Sequence, residues 1–155
     1  MPLPLAGALI RASDLAAIFP VGVDAWAPYV PTLVQSGAVP KTTNLGRYMK
    51  VGRKVTAEVN LSVTAGAGPV AANEVRVGLP VSAAATAATP AGYGYLYDAS
   101  TGLAYKFVAL LDNVNYVTLI ATSTTTAGRL GADTFTAALA ADDSVNAILE
   151  YESAS

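Results

Sequence analysis

From residue 26 onward the chain alternates between apolar and polar positions with a period of two. The clearest stretch is Val55-Thr-Ala57-Glu-Val59-Asn-Leu61-Ser-Val63, in which every odd residue is apolar and every even one polar. That pattern predicts a half-buried antiparallel strand with Thr56, Glu58, Asn60 and Ser62 facing water. Upstream, Arg47-Tyr48-Met49-Lys50-Val51 reads as a shorter strand, joined to it by a tight hairpin at Gly52-Arg53. Further strands are expected at 74–81, 93–97, 103–111, 116–122 and 145–151, with a weaker alternation at 135–139. Glycine, proline and small polar residues mark the loops 64–73, 82–92, 98–102 and 123–131. The run Ser82-Ala-Ala-Ala-Thr-Ala-Ala-Thr-Pro90 has alanine's helix propensity but no large apolar stripe, so it is read as a loop. Short strands at such spacing predict an all-β, antiparallel β-sandwich of jelly-roll type.

Residues 1–25 break this pattern and are expected to form an N-terminal anchoring arm ahead of a β-sandwich domain at 26–155. Ser13-Asp14-Leu15-Ala16-Ala17-Ile18-Phe19 begins with a capping residue and an early acid and stops at Pro20, which predicts one or two helical turns. A helix so short is stable only when docked. Leu3, Leu5, Leu9, Ile10 and Phe19 offer the apolar surface for docking. The opening apolar run is interrupted by Pro2 and Pro4, follows no basic residue and ends at Arg11, so neither a signal peptide nor a membrane span is expected.

Composition narrows the chemistry. Hydrophobic residues make up 53% of the 155, but 31 of them are alanine, and charged residues are only 13%. There is no cysteine and no histidine. Disulfide frameworks, thiolate nucleophiles, Ser-His-Asp triads and the usual zinc sites are therefore excluded. The carboxylates Glu58, Glu74, Glu150 and Glu152 read as solubilising residues on outer faces, since nothing singles out the facing pair that sugar hydrolysis needs. Asp98-Ala-Ser-Thr-Gly102 has the residues of a turn whose aspartate bonds its own backbone. Asp112, Asn113, Asn115 and Asp142-Asp143 are loose candidates for a hard-cation site, without any EF-hand spacing. No catalytic, cofactor or metal site is expected.

Basic residues cluster between Lys41 and Lys54, whereas only acids follow Arg129. With a net charge of -2, that hairpin is read as meeting an acidic region of its own or a neighbouring chain, in preference to nucleic acid. Tyr93, Tyr95 and Tyr97 share one face of a strand, with Gly92, Gly94 and Leu96 on the other, and Tyr105 and Phe107 follow. Cross-strand aromatic pairing in a core accounts for the row without a ligand; a carbohydrate-stacking platform is the functional alternative.

Three motifs carry a resemblance: Trp26-Ala-Pro-Tyr-Val-Pro-Thr-Leu33, Leu45-Gly-Arg-Tyr-Met-Lys-Val-Gly-Arg-Lys-Val55 and Val77-Gly-Leu-Pro-Val81. Together with the closing Tyr151-Glu152 and the leader Arg11-Ala-Ser-Asp14-Leu15, they resemble small β-sandwich virion proteins of tailed bacteriophages, especially those of actinobacteria. The resemblance implies a non-enzymatic structural protein of the virion, assembled in the host cytoplasm and commonly a homotrimer. The expected role is capsid decoration, with residues 1–25 gripping the major capsid protein. Leu9, Ile10, Arg11, Asp14, Leu15, Phe19 and Trp26 are the assembly candidates. The alternative is a tail-associated module that binds host-surface glycans through Tyr93, Tyr95 and Tyr97. Neither membrane nor direct nucleic-acid contact is expected.

Overall fold

A computed structural model describes residues 26–66, 73–85, 88–122, 127–132 and 138–155. The expected helix in the arm lies outside them. Among the described residues there is no helix, and the strands are β1 (Ala27–Pro28), β2 (Leu33–Gln35), β3 (Gly37–Ala38), β4 (Lys41–Val51), β5 (Lys54–Val63), β6 (Arg76–Gly78), β7 (Pro90–Asp98), β8 (Leu103–Asn113), β9 (Tyr116–Thr122), β10 (Ala127–Arg129) and β11 (Ser144–Glu152). Every pairing among them is antiparallel.

The all-β antiparallel expectation is met, but the strands are not divided between two sheets as a jelly-roll-like sandwich would require. They follow one hydrogen-bonded path, β1-β4-β5-β11-β7-β8-β9-β6-β2-β3, with β10 added beside β9. The long consecutive hairpins β7–β8 and β8–β9 carry the sheet through the place where a sandwich would break it. In a flat sheet β4 and β6 would stand six strand spacings, about 29 Å, apart. Yet Tyr29 N donates to Gly46 O of β4 at 3.0 Å, and Gly78 N of β6 donates to Thr32 O at 2.9 Å. Three residue steps of extended chain reach only about 10 Å. The sheet therefore curls into a half-barrel, and residues 29–32 bridge its two sides.

Curling buries one face. Val55, Ala57, Val59, Leu61 and Val63 of β5 point inward with the inner residues of β11, β8 and β9, and Phe107 is the largest fully buried side chain. The predicted alternation of β5 is therefore observed residue for residue. Two expected loops are shorter than read. β7 already begins at Pro90, and β10 occupies part of 123–131. The strand expected at 74–81 is reduced to β6, and the weak alternation at 135–139 falls mostly outside the described residues. β1, β2 and β3 are too short to show a period at all.

The bridge depends on two glycines. A methyl group at Gly46 would lie 2.2 Å from Tyr29 O, and one at Gly78 would lie 2.2 Å from Thr32 Oγ1. The first obstacle is backbone, the second a hydroxyl that can rotate away. Gly46→Ala is thus expected to lower stability by about 1–3 kcal/mol and Gly78→Ala by clearly less, measured by denaturant unfolding. Equal losses would show that the bridge does not constrain the two edges in this way.

Candidate functional site

β7 alternates Gly92, Gly94 and Leu96 on one face with Tyr93, Tyr95 and Tyr97 on the other. A methyl group at Gly94 would sit 1.9 Å from Asn146 O and 2.7 Å from Phe107 Cζ, and one at Gly92 would sit 2.1 Å from Ile148 O. The glycines thus let β11 come close and let the Phe107 ring fill the inside opposite Gly94, its register partner. With that face committed to the core, the tyrosines are turned outward. Tyr93, Tyr95 and Tyr97 are 63%, 45% and 39% exposed. Core pairing is therefore not what the row does, and Phe107 faces the opposite side of the sheet from it.

Strand register builds rows across this outer face. One row runs Arg47, Glu58, Ile148, Tyr93, Val108; the next runs Leu45, Asn60, Asn146, Tyr95, Lys106. Between them lies a shallow depression of about 700 Å³ whose walls include Leu45, Glu58, Asn60, Tyr93, Tyr95, Lys106, Asn146 and Ile148. Its polar groups are ordered. Arg47 Nε donates to Glu58 Oε2 at 2.7 Å, and the Arg47 guanidinium carbon stands 4.5 Å from the centre of the Trp26 ring. Asn44 Nδ2 donates to Asn60 Oδ1 at 3.0 Å and to Ser62 Oγ at 2.7 Å. Trp26, expected as an assembly residue, is thus stacked on the sheet edge beside β4. Leu9, Ile10, Arg11, Asp14, Leu15 and Phe19 lie outside the described residues.

The turn after β7 holds the tyrosine strand in place. The buried Asp98 carboxylate accepts from Ser100 N and Oγ at 2.9 and 2.7 Å and from Thr101 N and Oγ1 at 3.3 and 2.8 Å. Burial opposes its charge, but these hydrogen bonds outweigh it and hold the carboxyl below the usual carboxylate range. Asp143 completes the support by accepting from Ala99 N at 2.9 Å and Ala140 N at 2.8 Å. Of the loose cation candidates, Asp112, Asn113, Asn115 and Asp143 carry structural contacts. Asp112 lies 3.3 Å from Arg76 Nε, Asn113 Oδ1 accepts from Asn115 N, and both Asp143 oxygens carry backbone donors. Among the described residues no group of three His, Cys, Asp or Glu side chains is placed to hold a metal ion.

The basic hairpin meets acids of its own chain. Lys54 Nζ is 3.1 Å from Glu150, and Arg53 is 4.0 Å from Glu152 on β11. Both pairs are largely exposed and contribute little stability. Sequence reasoning missed Gln35, a fully buried amide whose Oε1 accepts from Leu139 N at 2.7 Å. It also missed the contacts of Arg76, both the local one with Glu74 two residues away and the one with Asp112, which only the pairing of distant strands brings near. No helix among the described residues is long and apolar enough to cross a membrane. No protein-family model, curated protein or solved structure matches the chain.

Two outcomes follow from this arrangement. Single Tyr93→Ser, Tyr95→Ser and Tyr97→Ser substitutions should each change stability by less than about 1 kcal/mol, whereas Phe107→Ala should cost about 3–5 kcal/mol. Comparable losses at both would return the tyrosines to the core. The Asp98 carboxyl titrates below its unfolded value of 3.8, so its contribution is present above that pH and is lost as pH falls through the folded value. Melting temperatures recorded on acidification should thus fall more steeply for the natural chain than for Asp98→Asn, which starts lower at neutral pH.

Proposed function

We propose that this chain is a non-enzymatic virion surface protein of a tailed bacteriophage, and that its outer sheet face is a receptor-binding platform for host-surface glycans. The observation that carries this reading is the exposed row Tyr93, Tyr95, Tyr97 beside the depression. Aromatic rings offer flat apolar faces to the C–H surfaces of a sugar, while Asn60, Asn146, Glu58 and Lys106 supply polar groups for its hydroxyls. A row of tyrosines on a water-facing sheet costs solubility unless a partner uses it.

Glu58 is the one carboxylate among the residues lining the depression, and Arg47 neutralises it. Sugar hydrolysis needs two carboxylates across the bond to be cut, so the arrangement supports binding over catalysis. Capsid decoration, the other role implied by the resemblance, rests on residues 1–25 and draws no support from the tyrosine face.

Cryo-electron microscopy of intact particles, combined with adsorption of the purified chain to host cells, tests the proposal. Density at the tail and adsorption that falls at least about fivefold in Tyr93→Ser/Tyr95→Ser are the expected results, since each lost stacking contact is worth about 0.5–1.5 kcal/mol. Density at the capsid's symmetry axes, with adsorption unchanged in the double variant, would overturn the receptor-binding reading and favour decoration.

A further inference from the structure

The charges on this face are unevenly satisfied. Among the described residues, Arg47, Arg53, Lys54, Arg76 and Arg129 each lie within 4.0 Å of a carboxylate. Lys50 donates to the main-chain oxygen of Ser155, and Lys41 Nζ donates to Thr43 Oγ1. Lys106, which lines the depression, is the one basic residue among those described without a partner for its side chain among them. The only acid there, Glu58, is held by Arg47 at 2.6 Å and so presents little net charge to a ligand. The depression therefore carries one uncompensated positive charge beside aromatic rings.

Register decides what that charge can read. Lys106 is directly opposite Tyr95 on β7, and Tyr95 is directly opposite Asn146 on β11. Side chains so paired have Cβ atoms about 5 Å apart. Asn146 makes no side-chain hydrogen bond to a described residue, and Asn60 beyond it uses its Oδ1 on Asn44 while keeping its own amide donors. The row thus runs amide, amide, aromatic ring, ammonium. A sugar ring lying on Tyr95 has its edge substituents over Asn146 on one side and Lys106 on the other.

We infer that the depression selects glycans bearing carboxylates, of the uronic-acid class, with the sugar ring on Tyr95, its carboxylate against Lys106 Nζ and its hydroxyls against Asn146. This rests on the glycan-binding reading above and adds to it the class of sugar. A single ammonium with no second cation among the lining residues matches one carboxylate per sugar. Such a charge-assisted bond is stronger than a neutral one and sensitive to salt.

The test is an array of oligogalacturonate, oligoglucuronate and hyaluronan fragments, each beside its carboxyl-reduced form, followed by calorimetry on whatever binds. For the natural chain the acidic form of at least one pair should bind about tenfold tighter than its reduced form at low salt, a difference of about 1.4 kcal/mol, and the gap should shrink as salt is added. Lys106→Met keeps the apolar stem and should remove the preference, weakening the acidic form far more than the reduced one. Tyr95→Ala should weaken both forms, and circular dichroism confirms that each variant remains folded. Equal binding of acidic and reduced forms, or a preference that survives Lys106→Met, would overturn the selectivity and leave glycan binding intact. Binding of neither form by the natural chain would remove the glycan reading and the inference with it.

Discussion

Residues 29–32 are hydrogen-bonded to β4 at one end and to β6 at the other, so a stretch reaching about 10 Å ties together strands that a flat sheet would hold about 29 Å apart. Everything else in the fold follows from that tether. The sheet must curl, and the curl seals one face of β5, β11, β7, β8 and β9 against itself. Gly46 is required where the tether lies against β4, because a side chain there would meet the Tyr29 backbone, while at Gly78 it would meet the movable Thr32 hydroxyl. Once the inside is sealed, every apolar side chain left outside has to be accounted for separately.

The outer face shows how differently neighbouring strands solve that problem. β5 turns Thr56, Glu58, Asn60 and Ser62 outward, as a strand needing only solubility would. Two strands away, β7 turns out three tyrosines, joined by Ile148 of β11 and Leu45 of β4. Those rings lie outside the buried core. The core opposite them is filled by Phe107, and Gly92 and Gly94 are used to let β11 and that ring approach. The aromatic row is thus a surface feature added to a fold already closed by other residues, and it is the basis for reading the face as a recognition platform.

Much of this was legible in the chain, and the limits have physical causes. β5 could be read almost to the residue because a half-buried strand writes its two faces into alternating chemistry; β9 matched its expected bounds although Val117, Thr118 and Leu119 are buried in succession. The Asp98 turn was legible because an aspartate followed by serine, threonine and glycine satisfies its backbone locally. β1, β2, β3 and β10 have two or three residues each, too few for a period; β1 and β10 form on the edges of β4 and β9, whereas β2 and β3 form on the equally short β6 and on each other. The number of sheets was not legible, since alternation says which side of a strand is wet but not which strand lies beside it. The direction of the tyrosine row was ambiguous for a related reason. Gly, Gly, Leu and Tyr, Tyr, Tyr are both apolar enough for a core, and only the position of Phe107 on β8 decides between them.

The outward placement of Tyr93, Tyr95 and Tyr97 carries the functional account, and limited tyrosine nitration read by peptide mass spectrometry tests it directly. The account predicts fast modification of these three rings in the folded protein, with Tyr151, only 7% exposed and hydrogen-bonded to Val81 O at 2.7 Å, left unmodified until the chain is unfolded. Protection of all three to the same degree as Tyr151 would contradict it, placing the row inside the fold and leaving the outer face without a platform.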